Sequence, residues 1–244
     1  MFCLWVALCC GSLQFTISGE AIDLPNQGLL EIPKNISAAT TYLNLDYNEI
    51  QILRNDGLAH LPNLQHLFVQ HNQLRIIEKH AFRGTQLGRI LISNNQLRHF
   101  PYLLDINETL KTIRIVDNGL RVVKEEHLRG LEKLENLYLS DNDIYTIPDI
   151  KTLLPMLAHF DFANMALECC DKLLPLTSFT NETLDVRLRP CSYPPELKDE
   201  IWWNISKEAI NKPCPGAFTT FRHEAMCHAV MNNSSHQVRT RRIA

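Results

Sequence analysis

The chain has 244 residues, is 45% hydrophobic and carries a formal charge of −3 at neutral pH. It is long enough to bury a full core, as one domain or as one elongated array. The composition excludes a disordered chain, and the near-neutral balance, with Lys and Arg scattered until the last few residues, excludes a nucleic-acid binder driven by charge.

Residues 1–18, MFCLWVALCCGSLQFTIS, are apolar from Phe2 to Leu8 and carry no charged side chain, and the stretch ends in small residues around Ser18 and Gly19. That is a signal-peptide pattern. The rival reading is a short membrane anchor, but Gly11, Ser12 and Gln14 break the run below a bilayer-spanning length. No later stretch approaches that length, so no membrane span is expected. Six N-x-[ST] triplets, opening at Asn35, Asn107, Asn181, Asn204, Asn232 and Asn233, agree with secretion and are read as glycosylation acceptors. Cys3, Cys9 and Cys10 leave with the leader. Cys169, Cys170, Cys191, Cys214 and Cys227 remain, and in an oxidising compartment they read as a local disulfide framework plus one odd thiol.

From Tyr42 the chain repeats itself. YLNLDYNEI (42–50) returns as HLFVQHNQL (66–74), RILISNNQL (89–97), TIRIVDNGL (112–120) and NLYLSDNDI (136–144). The shared asparagines are Asn48, Asn72, Asn95, Asn118 and Asn142, spaced by 24, 23, 23 and 24 residues. Each unit carries a further apolar residue three places beyond its last one, at Leu53, Ile77, Phe100, Val123 and Ile147. A weaker sixth unit has Leu157, Phe160 and Phe162, then Met165 in the asparagine place. The spacing is that of the leucine-rich repeat, LxxLxLxxNxLxxL. Each unit is one short strand and a return segment, and it cannot bury its apolar face alone. Neighbours therefore stack and share a continuous core. At the turn after each strand the backbone leaves unpaired groups, and a carboxamide offers donors and an acceptor to meet them. The asparagines are expected to satisfy the turn of their own unit and of the next, and the ladder is expected to end at Met165. The fold expected is an α/β solenoid: a curved horseshoe with a parallel β-sheet on its concave face.

Beyond MALECC, the close cysteine pair, Cys191 followed by SYPPEL, and Cys214 resemble the cysteine-rich C-terminal cap of extracellular leucine-rich repeat proteins such as Slit, chondroadherin and Toll ectodomains. The resemblance covers roughly residues 21–214. It implies a disulfide-bonded C-terminal cap with bridges Cys169–Cys191 and Cys170–Cys214. The family usually has C-x-C where this chain has adjacent cysteines, so the residues alone leave the pairing open. AIDLPNQGLLEIP resembles the family's N-terminal cap, with Ile22, Leu24, Leu29 and Ile32 in place, but without its cysteines. The small leucine-rich proteoglycans carry an N-terminal cysteine cluster, so the chain reads as a poor match to them, and no Ser-Gly site for a glycosaminoglycan stands out. The organisation expected is a signal peptide at 1–18, an N-terminal cap lacking cysteines at 19–39, about six repeats at 40–168, the cap at 169–214, and a tail at 215–244 read as disordered. Trp202 and Trp203 read as cap core in preference to a ligand platform. Arg239 to Arg242, RTRR, reads as a solvated basic tail, with a proprotein-convertase site as the alternative. Cys227 is a candidate for a disulfide-linked dimer.

Strand residues between the core leucines face the concave side, where a partner would sit. The candidate contact residues are Tyr42, Asn44, Tyr47, His66, Phe68, His71, Arg89, Leu91, Arg114, Val116, Tyr138, His159 and Asp161. Apolar and aromatic residues among arginines are what interface centres use. His66 and His71 lack a third ligand, so no metal is assigned, and no nucleophile–base arrangement or phosphate loop points to catalysis or a cofactor. The expected function is a secreted, glycosylated binding module for an extracellular protein or matrix ligand. Structural matrix component, innate immune recognition protein and non-catalytic subunit of a secreted enzyme stand as alternatives.

Overall fold

The computed structural model describes residues 19–164. The leader, all the cysteines, the sequons from Asn181 onward, Met165, the tryptophan pair and the Arg239–Arg242 run lie outside the described residues.

Seven parallel strands form one sheet: β1 (Ala21–Asp23), β2 (Tyr42–Asn44), β4 (His66–Phe68), β6 (Arg89–Leu91), β7 (Thr112–Arg114), β8 (Asn136–Tyr138) and β9 (His159–Asp161), in chain order across the sheet. On the return side β3 (Ile52–Leu53) pairs with β5 (Ile76–Ile77). The remaining return segments are mostly turns, with a 3-10 turn at Leu104–Ile106 and one-turn helices at Glu125–Leu128 and Ile150–Leu153. β1 adds a strand ahead of the six repeat units. It pairs Ala21 with Tyr42, Ile22 with Leu43 and Asp23 with Asn44.

Alternation along each strand sends one residue inward and its neighbours outward. The inward residues Leu43, Leu67, Ile90, Ile113, Leu137 and Phe160 lie opposite one another from strand to strand and are all at most 1% exposed. A second apolar column, Leu45, Val69, Ile92, Ile115 and Leu139, is fully buried one step further on. The core therefore runs without interruption from Ile22 to Phe162. Each such side chain contributes about 1.5–3 kcal/mol on burial, which no unit could realise without its neighbours.

The asparagines lock the turns. Asn72 is 8% exposed; its Oδ1 accepts the Ile50 N–H at 3.0 Å, and its Nδ2 donates to Leu45 O at 2.9 Å and to Gln70 O at 3.1 Å. Asn95 accepts from Leu74 N and donates to Val69 O; Asn118 accepts from Leu97 N and donates to Ile92 O; Asn142 accepts from Leu120 N and donates to Ile115 O. Asn48 does the same for the segment before it, accepting from the Gln27 and Leu29 N–H groups and donating to Leu24 O. Each carboxamide thus joins its own turn to that of the preceding unit, not the following one. The repeat period is the same read in either direction, so the sequence alone could not give this sense.

Just ahead of each of these positions the backbone enters the left-handed region: Asn26, Tyr47, His71, Asn94, Asp117, Asp141 and Asn164 have φ between 51° and 59°. Asn and Asp suit that conformation, because their short polar side chains bond locally.

Replacing Asn72 with Ala leaves the Ile50 N–H buried without a partner and takes one of two donors from Leu45 C=O, which Asn48 still bonds, and should cost about 1–3 kcal/mol in urea unfolding. Gln73→Ala, one residue on and outside the ladder, should stay within about 0.5 kcal/mol of the parent.

Candidate functional site

Parallel pairing in register builds columns across the concave face. Tyr42, His66, Arg89, Thr112, Asn136 and His159 stand in one; Asn44, Phe68, Leu91, Arg114, Tyr138 and Asp161 stand in the other. All of them are half-buried except Arg89 and His159, which are exposed. Val116 is half-buried in the next column, and Tyr47 and His71 are exposed at the turn.

Many polar members of this face are already bonded to their neighbours. Asn44 Nδ2 donates to Asp23 at 2.6 Å, and Asp46 accepts both the backbone N–H and the Nε2 of Gln70. Asn94 donates to Asp117 at 2.6 Å, Ser140 to Asp161, and Asn164 to Asp141 at 2.7 Å. Asn136 donates to Thr112 Oγ1 at 3.1 Å.

The apolar and aromatic members are different. Tyr42 tilts over Phe68 with centroids 4.9 Å apart, and the Arg114 guanidinium lies 5.2 Å from the Tyr138 ring centre. Leu91 sits between Phe68 and Arg114 in the same column. The result is an aromatic first half, a centre of Leu91, Arg89, Arg114 and Tyr138, and a carboxylate-bearing far edge at Asp117, Asp141 and Asp161.

Tyr47 and His71 stack at 4.3 Å with planes 6° apart, and Tyr47 is 56% exposed. Both hold left-handed backbone where the other turns use Asn or Asp. For a bulky residue this conformation costs on the order of 1–2 kcal/mol. Strained positions collect at functional surfaces.

A groove of about 470 Å³ opens beside β4, β6, β7 and β8 and is lined by Gln65, His66, Gly88, Arg89, Lys111 and Glu135 among others. None of Gln65, Gly88, Lys111 and Glu135 was among the residues expected from sequence. They form the column just before the strands, and Gly88 is the gap in it. A Cβ at Gly88 would meet nothing nearer than Thr109 O at 3.4 Å. The signal in the sequence is that column itself, Gln65, Gly88, Lys111 and Glu135, in which one unit lacks a side chain. Lys111 is bonded to Glu135 at 2.8 Å, which leaves Arg89 as the free cation of the wall among the described residues.

Burial lowers the pKa of His66, and Arg89 pushes it the same way. His66 Nδ1 is enclosed without a partner, consistent with a neutral ring. Burial also lowers His127, opposed by Glu126 and helped by Lys124 and His99; its Nδ1 accepts the Lys124 N–H at 3.1 Å and its ring stacks on Phe100. The Tyr42 phenol is raised, by burial first and then by Asp23 and Asp46. Of the two described sequon asparagines, Asn35 is exposed; Asn107 is half-buried, with Nδ2 3.4 Å from Gly130 O. Neither lies on a concave strand.

The model for "Leucine rich repeat" matches residues 21–74 and 39–97. Fibromodulin of Oryctolagus cuniculus is 30% identical over 122 residues, covering 50% of this chain and 81% of that one. The chain belongs to the leucine-rich repeat family. Nephrocan of Mus musculus is 27% identical over 197 residues, 79% of this chain, and the match spans only 38% of nephrocan. A chain in the octameric complex of latrophilin 3, Unc5D and FLRT2 superposes with a TM-score of 0.66 at 22% identity, covering 75% of this chain and 58% of that one; the likeness is one of fold. The sequence relatives are non-enzymatic leucine-rich repeat proteins, among them extracellular-matrix proteoglycans and receptors. The family match lies in the repeats. Among the described residues no helix is long and apolar enough to cross a membrane, and no three His, Cys, Asp or Glu cluster as metal ligands.

Two outcomes follow from this geometry. His66 and His127 bind fewer protons folded than unfolded, so their contribution to stability is complete above the ordinary imidazole value of 6.5 and is lost as pH falls below it. The melting temperature should drop between pH 7.5 and 5.5, and His66→Gln with His127→Gln should flatten that drop. Tyr47→Asn relieves the left-handed strain and loses the exposed stack, so thermal melts should show stability unchanged or raised by about 0.5 kcal/mol.

Proposed function

We propose that the chain is an extracellular protein-binding module whose concave face takes the partner. In this reading the leader is removed, the cysteines after residue 168 close the C-terminal end, and the glycans sit away from the concave strands. The carrying observation is the contrast on the sheet face. Its asparagine, aspartate and serine side chains are largely bonded to one another, whereas Phe68, Leu91, Val116 and Tyr138 stand half-exposed with Arg89 and Arg114 among them. An apolar centre with aromatic and arginine anchors inside a polar rim is how interface energy is concentrated. The extracellular-matrix type of the relatives supports the setting. Tyr47, held in a costly backbone conformation with its ring in solvent, extends the contact surface to the turn.

The test is affinity capture with the mature secreted chain against Phe68→Ser combined with Tyr138→Ser. Proteins retained by the parent should be lost from the double variant, while secretion and melting temperature stay near normal. Equal recovery from both would remove the concave patch as the binding site.

A further inference from the structure

A second surface lies around the corner from the sheet, on the segment leading away from each asparagine turn. The position three residues after the ladder asparagine reads Gln51, Arg75, Arg98, Arg121 and Tyr145 in successive units. The three arginines are exposed. Backbone bonds hold these segments in step: Arg75 N to Gln51 O at 2.9 Å, Gln96 N to Leu74 O at 2.8 Å and Gly119 N to Leu97 O at 2.9 Å.

We propose that Arg75, Arg98 and Arg121 form a binding site for a linear sulfated polysaccharide. The reading of the chain as extracellular supplies the setting where such a polymer is met; the site itself is argued from charge and spacing.

Neighbouring repeats are about 4.8 Å apart at the backbone, so three guanidinium groups occupy a line of about 10 Å. Like charges stacked at the unit spacing repel one another. Among the described residues none of the three makes an ion pair; Asp56, Asp105, Glu108, Glu125, Glu126 and Glu135 are paired with cations elsewhere. The flanking column carries carboxylates only at its two ends, Glu49 and Asp143, and reads Gln73, Gln96 and Gly119 beside the arginines. Arg75 Nε donates to Gln96 Oε1 at 3.0 Å, which aims the guanidinium and leaves its Nη groups for an outside acceptor. At formal charge −3 the chain has no general excess of cations that would place three in a file.

A planar guanidinium fork suits the oxygens of a tetrahedral oxyanion. An even row of such forks suits a polymer with regularly repeated oxyanions. An acidic peptide fits less well, because extended peptides are read through side-chain pockets. The next column here has Ile76 and His99 exposed and Val122 half-buried.

The full secreted chain should bind immobilised heparin. Arg75→Gln, Arg98→Gln and Arg121→Gln together should weaken binding at least about tenfold near physiological salt, and lower the slope of log affinity against log salt by about 2–3, as expected for losing three counterion-releasing contacts. Fully desulfated heparin should not bind. Phe68→Ser with Tyr138→Ser should bind heparin as the parent does, which separates this site from the concave one. The proposal is overturned if the triple variant binds heparin undiminished. It is also overturned if loss follows instead from Arg239→Gln, Arg241→Gln and Arg242→Gln in the tail, or if polyglutamate or phosphatidylserine vesicles are held as tightly as heparin.

Discussion

The first five turns of this solenoid leave main-chain groups unpaired where each strand ends, and a carboxamide from the next unit takes them up. The rest of the molecule depends on that bridge. It fixes the offset between neighbouring units, and with it the parallel register that brings Leu43, Leu67, Ile90, Ile113, Leu137 and Phe160 into one apolar spine. Leu74 N–H and Val69 C=O both close on Asn95, so a slip of one residue would break the turn as well as the core. Hydrophobic burial supplies the bulk of the stabilisation, while the buried amides decide which stacking is allowed.

The same register makes the outer surfaces readable as columns. On the concave face it gathers half-exposed aromatic and aliphatic side chains around two arginines; on the flank it gathers three more arginines at the unit spacing. One face is largely apolar at its centre and the other is cationic, so the two suit chemically different ligands. Under the two proposals, the chain holds a protein on one side while resting on a sulfated polymer with the other.

Much of this was legible before any coordinates. The asparagines spaced by 23 or 24 residues define the units, and alternation within YLN, HLF, RIL, TIR and NLY defines which side chains point in and out. Other features were hidden for physical reasons. Gln27 in place of asparagine masks the segment 21–29 as a repeat, although Ile22, Leu24 and Leu29 keep the spacing and β1 pairs in register. The groove depends on a side chain that is missing, at Gly88, and inspection of residue types favours what is present. Tyr47 gives no sign in sequence that its backbone is left-handed, because that conformation is imposed by the turn and opposed by the residue.

The amide bridges all point the same way, and this gives the array a polarity. Gln27 needs no carboxamide of its own in the ladder, since Asn48 reaches back to its N–H. The beginning of the solenoid is therefore finished by its successor, whereas the last regular turn has only a methionine following it in the asparagine place, a side chain with no amide to give. A growing chain would always carry one incomplete coil at its leading end. The cysteines follow the same asymmetry: between Gly11 and Glu168 there are none, and five follow from Cys169 to Cys227, beyond the point where the amides run out.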